Sequence, residues 1–333
     1  LKSHSCDKSA VSWWILSLMA DNSSKHPYEL EKQDLELRFD IDKKTIVGVA
    51  TLRIRPTQYD HPEIRLNCRQ CNIVGIQVNG QTAEYGYNNY LDQIVDQQHG
   101  ITDAQSFKTL LKAAHEMSNQ GELEVEIPAD VMGAIYTRDK EGKEKCEVCT
   151  LVIAYTLVSP TYGINFLLPD TLHPNRSPQV YTLSDGMGNR SWMPCVDHLV
   201  ERCPWSFHIY VPTGYVVVCT GELQGAVLEA EGRYSLYNFE QSVPTTAVHV
   251  GIAIGKFKIV QSKQHKMVTH FCTDDKETSA ALDYTLNGFF DEAWEFYSSM
   301  IQGGFPYRSY KQVFVDDAVT EVMAGTTISI ISS

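Results

Sequence analysis

The sequence predicts a mainly β fold: a large antiparallel β domain followed by the truncated start of an α/β domain. Three observations lead to this prediction. Apolar and polar residues alternate with a period of two in many short segments before residue 265, apolar residues recur at helical spacing after residue 275, and no closing element is recognised before Ser333. We divide the chain into an unassigned segment at 1–25, a β domain at 26–268 and an α/β segment at 269–333.

Composition and charge narrow the class of protein. The chain has 333 residues, 43% hydrophobic and 21% charged, which is typical of globular proteins. Its 28 Lys and Arg against 41 Asp and Glu give a formal net charge of −13. A free-standing nucleic-acid-binding domain normally presents a concentrated basic face. Autonomous DNA binding is therefore disfavoured, while a local DNA contact within a larger assembly stays open.

The first strands follow from strict alternation. Apolar residues from Leu35 to Ile41 alternate with charged ones, and the pattern repeats from Ile46 to Ile54. The residues between them, 42–44, predict a hairpin turn, and Ile64 to Cys68 predicts a third strand. Ile76–Val78 then runs into residues 79–80, an Asn-Gly pair that is typical of a type I′ hairpin turn.

The central part of the chain predicts further strands and one helix. The helix is expected within residues 99–120, from the spacing of its apolar residues. The expected strands are Leu123–Ile127, Leu151–Leu157, Ile164–Leu168, Trp205–Val211, Tyr215–Thr220, Ser235–Phe239, Val248–Ala253 and Phe257–Val260.

The α/β segment is predicted from a change of period. Apolar residues from Leu282 to Ile301 fall on one helical face, and Gly303-Gly304 is expected to end that helix. Lys311–Val315 predicts one more strand. Near the other end of the chain, Ala10–Ala20 has the outline of a signal-peptide apolar region, or is the edge of a fragment.

Two Cys-x-x-Cys pairs, Cys68–Cys71 and Cys146–Cys149, are candidate zinc ligands. Their separation along the chain is much longer than in zinc ribbons, so strand-end cysteines are the favoured interpretation and structural zinc the alternative. With nine cysteines, an odd number, the chain is not a disulfide scaffold, and a reducing compartment is favoured.

Histidines give no catalytic zinc motif. His115-Glu116 lacks the second histidine that a His-Glu-x-x-His helix requires, and the spacing of His265 and His270 is not that of zinc ligands. The residues themselves therefore supply no complete catalytic constellation.

Several segments resemble the zinc aminopeptidases of the aminopeptidase N type. The run Trp192–Asp197, the following strand from Trp205, and Pro306-Tyr307 leading to Asp316 carry the resemblance, which extends over roughly residues 28–333. It implies a β-saddle domain at 26–268 and the start of a thermolysin-like domain at 269–333, whose zinc helix would lie beyond Ser333.

The details resemble more closely a non-peptidase branch of this family, the aminopeptidase-like subunits of the general transcription factor TFIID. The segments concerned are Ile64–Cys71, Gly121–Val125, Trp192–Asp197, Val200–Trp205 and Val313–Ala324. This resemblance implies a nuclear, non-catalytic scaffold that supports core-promoter (initiator) recognition and assembly of the RNA polymerase II pre-initiation complex. The implied partners are TATA-binding protein, its associated factors and, within the complex, promoter DNA.

The departures from the peptidase pattern concern recognition of the substrate amine. Met323 stands where the family has a glutamate, and Leu183, after Thr182, stands where it has a glutamine. A thioether cannot hold an ammonium by charge, and loss of a buried charged partner costs about 2–5 kcal/mol. Glu321 would compensate only if the loop were shifted. We therefore expect no catalytic, metal-binding or substrate-binding residue and no cofactor; the alternative is a zinc aminopeptidase whose catalytic half is missing from this chain.

Overall fold

The computed structural model describes residues 27–88, 121–183, 188–274 and 276–332. The segment 10–20, the helix expected within 99–120 and His115-Glu116 lie outside the described residues. The strands are, in chain order, β1 (Tyr28–Asp40), β2 (Thr45–Pro56), β3 (Glu63–Leu66), β4 (Asn72–Val78), β5 (Gln81–Thr82), β6 (Tyr85–Tyr87), β7 (Leu123–Glu126), β8 (Tyr136–Arg138), β9 (Glu144–Cys146), β10 (Cys149–Val158), β11 (Ile164–Leu167), β12 (Gln179–Thr182), β13 (Cys203–Pro212), β14 (Val216–Cys219), β15 (Glu222–Leu228), β16 (Tyr234–Thr245), β17 (Ile252–Gly255), β18 (Lys258–Gln261), β19 (Val268–Cys272), β20 (Tyr310–Val315), β21 (Val322–Gly325) and β22 (Ile328–Ser332). The helices are α1 (Ala129–Ile135), α2 (Lys276–Gly288) and α3 (Phe290–Met300).

The largest sheet has eight strands in the order β15-β16-β13-β1-β2-β10-β4-β5. The alternation of β1 and β2 is confirmed, because their apolar residues, such as Leu35 and Ile46, are buried while the intervening ones are more exposed. The β1–β2 turn ends at Lys44, whose φ is +53°. The sheet is mixed rather than purely antiparallel, since β1 pairs with β13 in parallel.

The Asn-Gly hairpin is confirmed. Asn79 and Gly80 have φ values of +49° and +82°, and the strands on either side of them, β4 and β5, pair in antiparallel fashion. A left-handed conformation at both central residues is what a type I′ turn requires. The Asn79 side chain also accepts a hydrogen bond from the Thr150 amide at 2.8 Å, which ties the turn to β10.

Two smaller sheets follow, and they pack on each other. One has the order β11-β12-β17-β14 and the other β18-β19-β20-β22-β21. Their shared core contains Tyr181, Val218, Ala253, Phe257, Phe271, Val313, Val315, Met323, Ile328 and Ile330. Because β18 pairs with β19, the last sheet spans the domain boundary expected at residue 269. That boundary stays a prediction.

The prediction of a single helix from Leu282 to Ile301 was wrong, because the structure has two helices in this part of the chain, α2 and α3. Phe289, with φ −146° and ψ −1°, separates α2 from α3. Gly288 ends α2. Within α3, Phe290 and Trp294 are one turn apart and pack on one another with ring centroids 6.0 Å apart. The strand predicted at Val248–Ala253 was also too long, because residues 247–249 form a 3₁₀ turn.

The two helices keep much apolar surface exposed. The exposed side chains are Tyr284, Phe289, Phe296, Tyr297, Met300 and Ile301. In the described ranges, no helix has the length and hydropathy needed to cross a bilayer.

Candidate functional site

The side chain of Met323 lies in the core between the two small sheets. Strand β21 places it opposite Ile330 of β22, and only 6% of its surface is exposed. The thioether packs toward Gly251, where a Cβ would stand 3.1 Å from the Met323 methyl carbon. The other members of this core cluster include Ala253, Ile328 and Ile330. The position at which the resemblance places an acid in the peptidases is therefore held here by a buried apolar side chain that packs among other apolar ones.

Leu183 directly follows β12 and is also buried. Its amide donates a hydrogen bond to the Gly163 carbonyl at 2.8 Å. The preceding hydroxyl, Thr182 Oγ1, accepts a hydrogen bond from the Ile252 amide at 2.9 Å. Thr182 thus bonds to the backbone next to Gly251, toward which Met323 packs, whereas the substituted Leu183 bonds to Gly163.

Glu321 does not restore an acid at this place. It precedes β21 and is exposed, whereas Met323 two residues later is buried. Its backbone carbonyl accepts a hydrogen bond from the Ser332 amide at 2.9 Å, which fixes the local register. An ammonium at the Met323 position would be desolvated without a described counter-charge, which is strongly unfavourable.

A buried network of four charges joins three of the segments that carry the resemblance. Arg69 Nε lies 2.7 Å from Glu122, and Arg190 Nε lies 2.6 Å from Asp197. Arg190 Nη1 is 3.6 Å from Glu122 and links the two pairs. Asn67 completes the network by accepting the Asp197 amide hydrogen bond at 2.9 Å. Burial lowers the pKa of Arg190, but the Asp197 and Glu122 carboxylates have the larger combined effect, so the pKa of Arg190 is raised.

Sequence reasoning did not find this network, because charged residues are usually solvated and the four lie far apart in the chain. The signal that could have indicated it is the position of two charged residues, Arg69 after Cys68 and Asp197 after Cys195 and Val196, beside apolar residues that are buried. The network pairs two guanidinium groups with two carboxylates, so it can fix the three segments against each other.

The candidate zinc cysteines are placed as follows. Cys68, Cys71 and Cys149 are buried and Cys146 is partly exposed. Contact with the Cys71 thiol, together with burial, raises the pKa of Cys68 well above its ordinary value. Within the described ranges, no group of three or more His, Cys, Asp and Glu side chains is arranged to hold a metal ion.

The two histidines of the α/β segment lie under α3. His265 Nε2 is 3.3 Å from Asp291, while His270, on β19, packs edge-on against Phe290 with ring centroids 5.2 Å apart. In the pairing of β19 with β20, His270 lies opposite Gln312. Burial lowers the pKa of His270, against smaller opposing effects of Gln312 and Asp291.

The fold is that of the aminopeptidase and leukotriene A4 hydrolase proteins. Yeast LTA4 hydrolase in complex with bestatin superposes with a TM-score of 0.66 at 15% identity, covering 95% of this chain and 44% of the hydrolase. The native yeast enzyme gives a TM-score of 0.65 at 14% identity. These likenesses confirm the predicted fold class.

In sequence, the chain is similar to transcription initiation factor TFIID subunit 2. It is 28% identical to the protein of Danio rerio over 317 residues, which cover 93% of this chain and 26% of that protein. The Drosophila melanogaster protein is 28% identical over 316 residues. Leucine aminopeptidase 2 of Pyricularia oryzae is 24% identical over 195 residues, or 56% of this chain.

No protein-family model matches the chain. The predicted resemblance to the TFIID subunit is confirmed, and the chain spans about a quarter of the length of these relatives.

Proposed function

We propose that this chain is part of a non-catalytic scaffold subunit of the transcription factor TFIID. In this role it acts in the nucleus beside TATA-binding protein and its associated factors. It supports recognition of the core promoter around the initiator and assembly of the RNA polymerase II pre-initiation complex. The proposal rests on similarity to TFIID subunit 2 along 93% of the chain.

The observation that carries the non-catalytic part is the environment of Met323. An aminopeptidase needs a counter-charge for the substrate amine at this position, and here a buried thioether packs among apolar side chains. A shift of the strand that would bring Glu321 inward would break the pairing of β21 with β22. Loss of the amine contact is therefore built into the core rather than confined to one side chain.

The charge of the chain supports contact with proteins more than with DNA alone. A net charge of −13 repels the phosphate backbone, so any promoter contact depends on basic partners in the assembly.

Affinity purification of the tagged full-length protein from nuclear extract tests the proposal. We expect mass spectrometry to identify TATA-binding protein and its associated factors in the eluate. We also expect the purified protein alone not to bind promoter DNA. Recovery of the tagged protein without these factors would contradict the scaffold function.

The alternative function is a zinc aminopeptidase, which the fold and the similarity to leucine aminopeptidase 2 favour. The same eluate decides between the two when it is assayed for bound zinc and for hydrolysis of leucine p-nitroanilide. We expect neither. Stoichiometric zinc together with hydrolysis would replace the scaffold proposal by the peptidase.

A further inference from the structure

The outer edge of the largest sheet is an exposed apolar strand. Among the described residues, β15 is the last strand in the sheet order and pairs only with β16. Leu223, Val227 and Leu228 are each more than half exposed. The register shifts between Leu223 and Gly225, but from residue 223 to 228 the strand has no charged residue and no proline, two devices that protect an edge from pairing with another chain.

A cleft opens at the first residue of this edge. It has a volume of about 280 Å³ and is lined mainly by Glu222, Glu240, Gln241, Val243, Tyr307 and Arg308. Glu222 and Glu240 lie directly opposite one another on β15 and β16. Arg308 lines the cleft with them, and the buried Lys311 ammonium lies close enough to Glu222 that this carboxylate partly opposes the lowering of the Lys311 pKa by burial. Two facing acids are destabilising unless a cation comes between them.

The start of β15 is held rigidly. The Lys311 ammonium is buried and donates hydrogen bonds to the Gly221 carbonyl and to Thr327 Oγ1, the second at 3.2 Å. The Gly221 amide in turn donates to Thr327 Oγ1 at 2.8 Å. A fixed strand end lowers the entropy that is lost when a further strand is added.

From this edge and cleft together, we propose that β15 binds an extended segment of a partner protein by strand addition. The segment is apolar in its centre and carries a Lys or Arg that enters the cleft between Glu222 and Glu240. Main-chain hydrogen bonds supply the affinity. Glu222 and Glu240 outnumber Arg308 in the lining of the cleft, while the Lys311 ammonium is held by Gly221 and Thr327, so the two carboxylates select a basic side chain.

A second copy of this chain is a poorer occupant. In an antiparallel pair of two β15 strands, Glu222 of each copy would approach Glu229 at the far end of the other strand. Glu229 is already paired with Arg38 at 2.6 Å, so the contact would add like charges without a new partner.

Peptide binding to the 333-residue chain tests the inference and does not depend on the TFIID proposal. The probe is a fluorescein-labelled peptide of alternating valine and threonine with a lysine at each end, and its matched control has glutamate at each end. Fluorescence anisotropy should show binding of the lysine peptide about tenfold tighter than that of the glutamate peptide, equivalent to about 1.4 kcal/mol.

Two variants locate the binding. Val227→Lys places a charge on the edge and should weaken lysine-peptide binding about tenfold. Val74→Lys, at a valine 70% exposed in the same sheet but on β4, should leave binding unchanged. Glu222→Gln with Glu240→Gln should bring the two peptides to nearly equal affinity, whereas Glu36→Gln on β1 should not.

Circular dichroism confirms that each variant is folded. The inference is overturned if neither peptide binds, if both bind equally well to the unchanged chain, or if Val74→Lys weakens binding as much as Val227→Lys. A dimer in analytical ultracentrifugation that Val227→Lys dissociates would assign the edge to a second copy and would also overturn it.

Discussion

The thioether of Met323 lies so close to Gly251 that a Cβ on this glycine would stand 3.1 Å from the Met323 methyl carbon and 3.0 Å from Cγ2 of Ile328. The φ of Gly251 is not in the left-handed region, so its role is to make room rather than to permit an unusual backbone conformation. This contact joins the segment after the 3₁₀ turn to β21 and β22.

Replacing Gly251 by alanine should therefore destabilise the protein by about 1–3 kcal/mol through overpacking. The matched control is Gly75→Ala, where an added Cβ has nothing within 4 Å. Because glycine weakens a strand, Gly75→Ala should be neutral or slightly stabilising. Urea unfolding measures both, and equal free energies of unfolding for the two variants would contradict the steric explanation.

Met323→Glu should destabilise the protein by about 3 kcal/mol or more, because it buries a carboxylate without a partner. Met300→Glu, at a methionine 68% exposed on α3, is the control and should change the free energy of unfolding by less than about 0.5 kcal/mol. Burial raises the pKa of the introduced acid, so the loss should shrink as the pH falls. A stable Met323→Glu variant at pH 8 would show that the site accommodates an acid.

Breaking the buried charge network should cost far more than breaking a surface pair. Arg190→Met leaves the Asp197 carboxylate buried without its guanidinium, while Glu122 keeps Arg69, and should cost about 3–5 kcal/mol. Arg53→Met removes an exposed arginine 3.5 Å from Glu31 and should cost less than about 1 kcal/mol. Thermal unfolding of both variants in parallel is the measurement, and similar melting temperatures would argue against a structural role of the network.

His270 should make the protein lose stability in mild acid. Its folded-state pKa is below the ordinary value of 6.5, so the unfolded chain binds more protons in the pH range between the two values. The contribution is fully present above about pH 6.5 and decreases as the pH falls below it, by at most about 1.4 kcal/mol per pH unit.

His270→Leu should flatten this part of the stability profile, measured by urea unfolding between pH 5 and pH 7.5. Some slope will remain, because burial also lowers the pKa of His249. Phe271→Leu, at the buried residue next to His270, removes no titratable group and is the control; it should keep the slope. An unchanged slope in His270→Leu would refute the assignment.

Among the eight described cysteines, Cys146 should react first with a maleimide. The other seven are buried, whereas Cys146 is partly exposed on β9. Burial and the neighbouring Glu144 raise its pKa, so its labelling should accelerate as the pH is raised from 7 to 9. Peptide mapping by mass spectrometry identifies the site. Faster labelling of Cys71 or Cys149 would show that the β8–β9 region opens.

Local patterns predicted much of the β structure but little of its pairing. Alternation located β1 and β2, and Asn79-Gly80 located a turn, because each signal depends on residues that are close in sequence. The buried strand β12 was missed, since all four of its residues are buried and none marks an outer face. The parallel pairing of β1 with β13 has no local signal at all.

The sequence identified the residues of the candidate site but not the residues that surround them. Met323 and Leu183 were singled out by resemblance, whereas the contact with Gly251 depends on two strands that the sequence pattern did not reveal, β21 and β22. The exposed edge at β15 was missed for the same reason, because a strand exposed on both faces shows no alternation of burial.

The parallel pairing of Gln33 with Trp205 means that β1 cannot pair with β13 until residue 205 has been synthesised. About 170 residues separate the partners, and at about 5–20 residues per second their translation takes roughly 10–35 s. During this interval the β1–β2 hairpin exists without β13, and the backbone groups on the β1 edge are open to pairing with other nascent chains. Chaperone demand during translation should therefore fall on the first hairpin, and slower elongation before codon 205 should lower the yield of soluble protein.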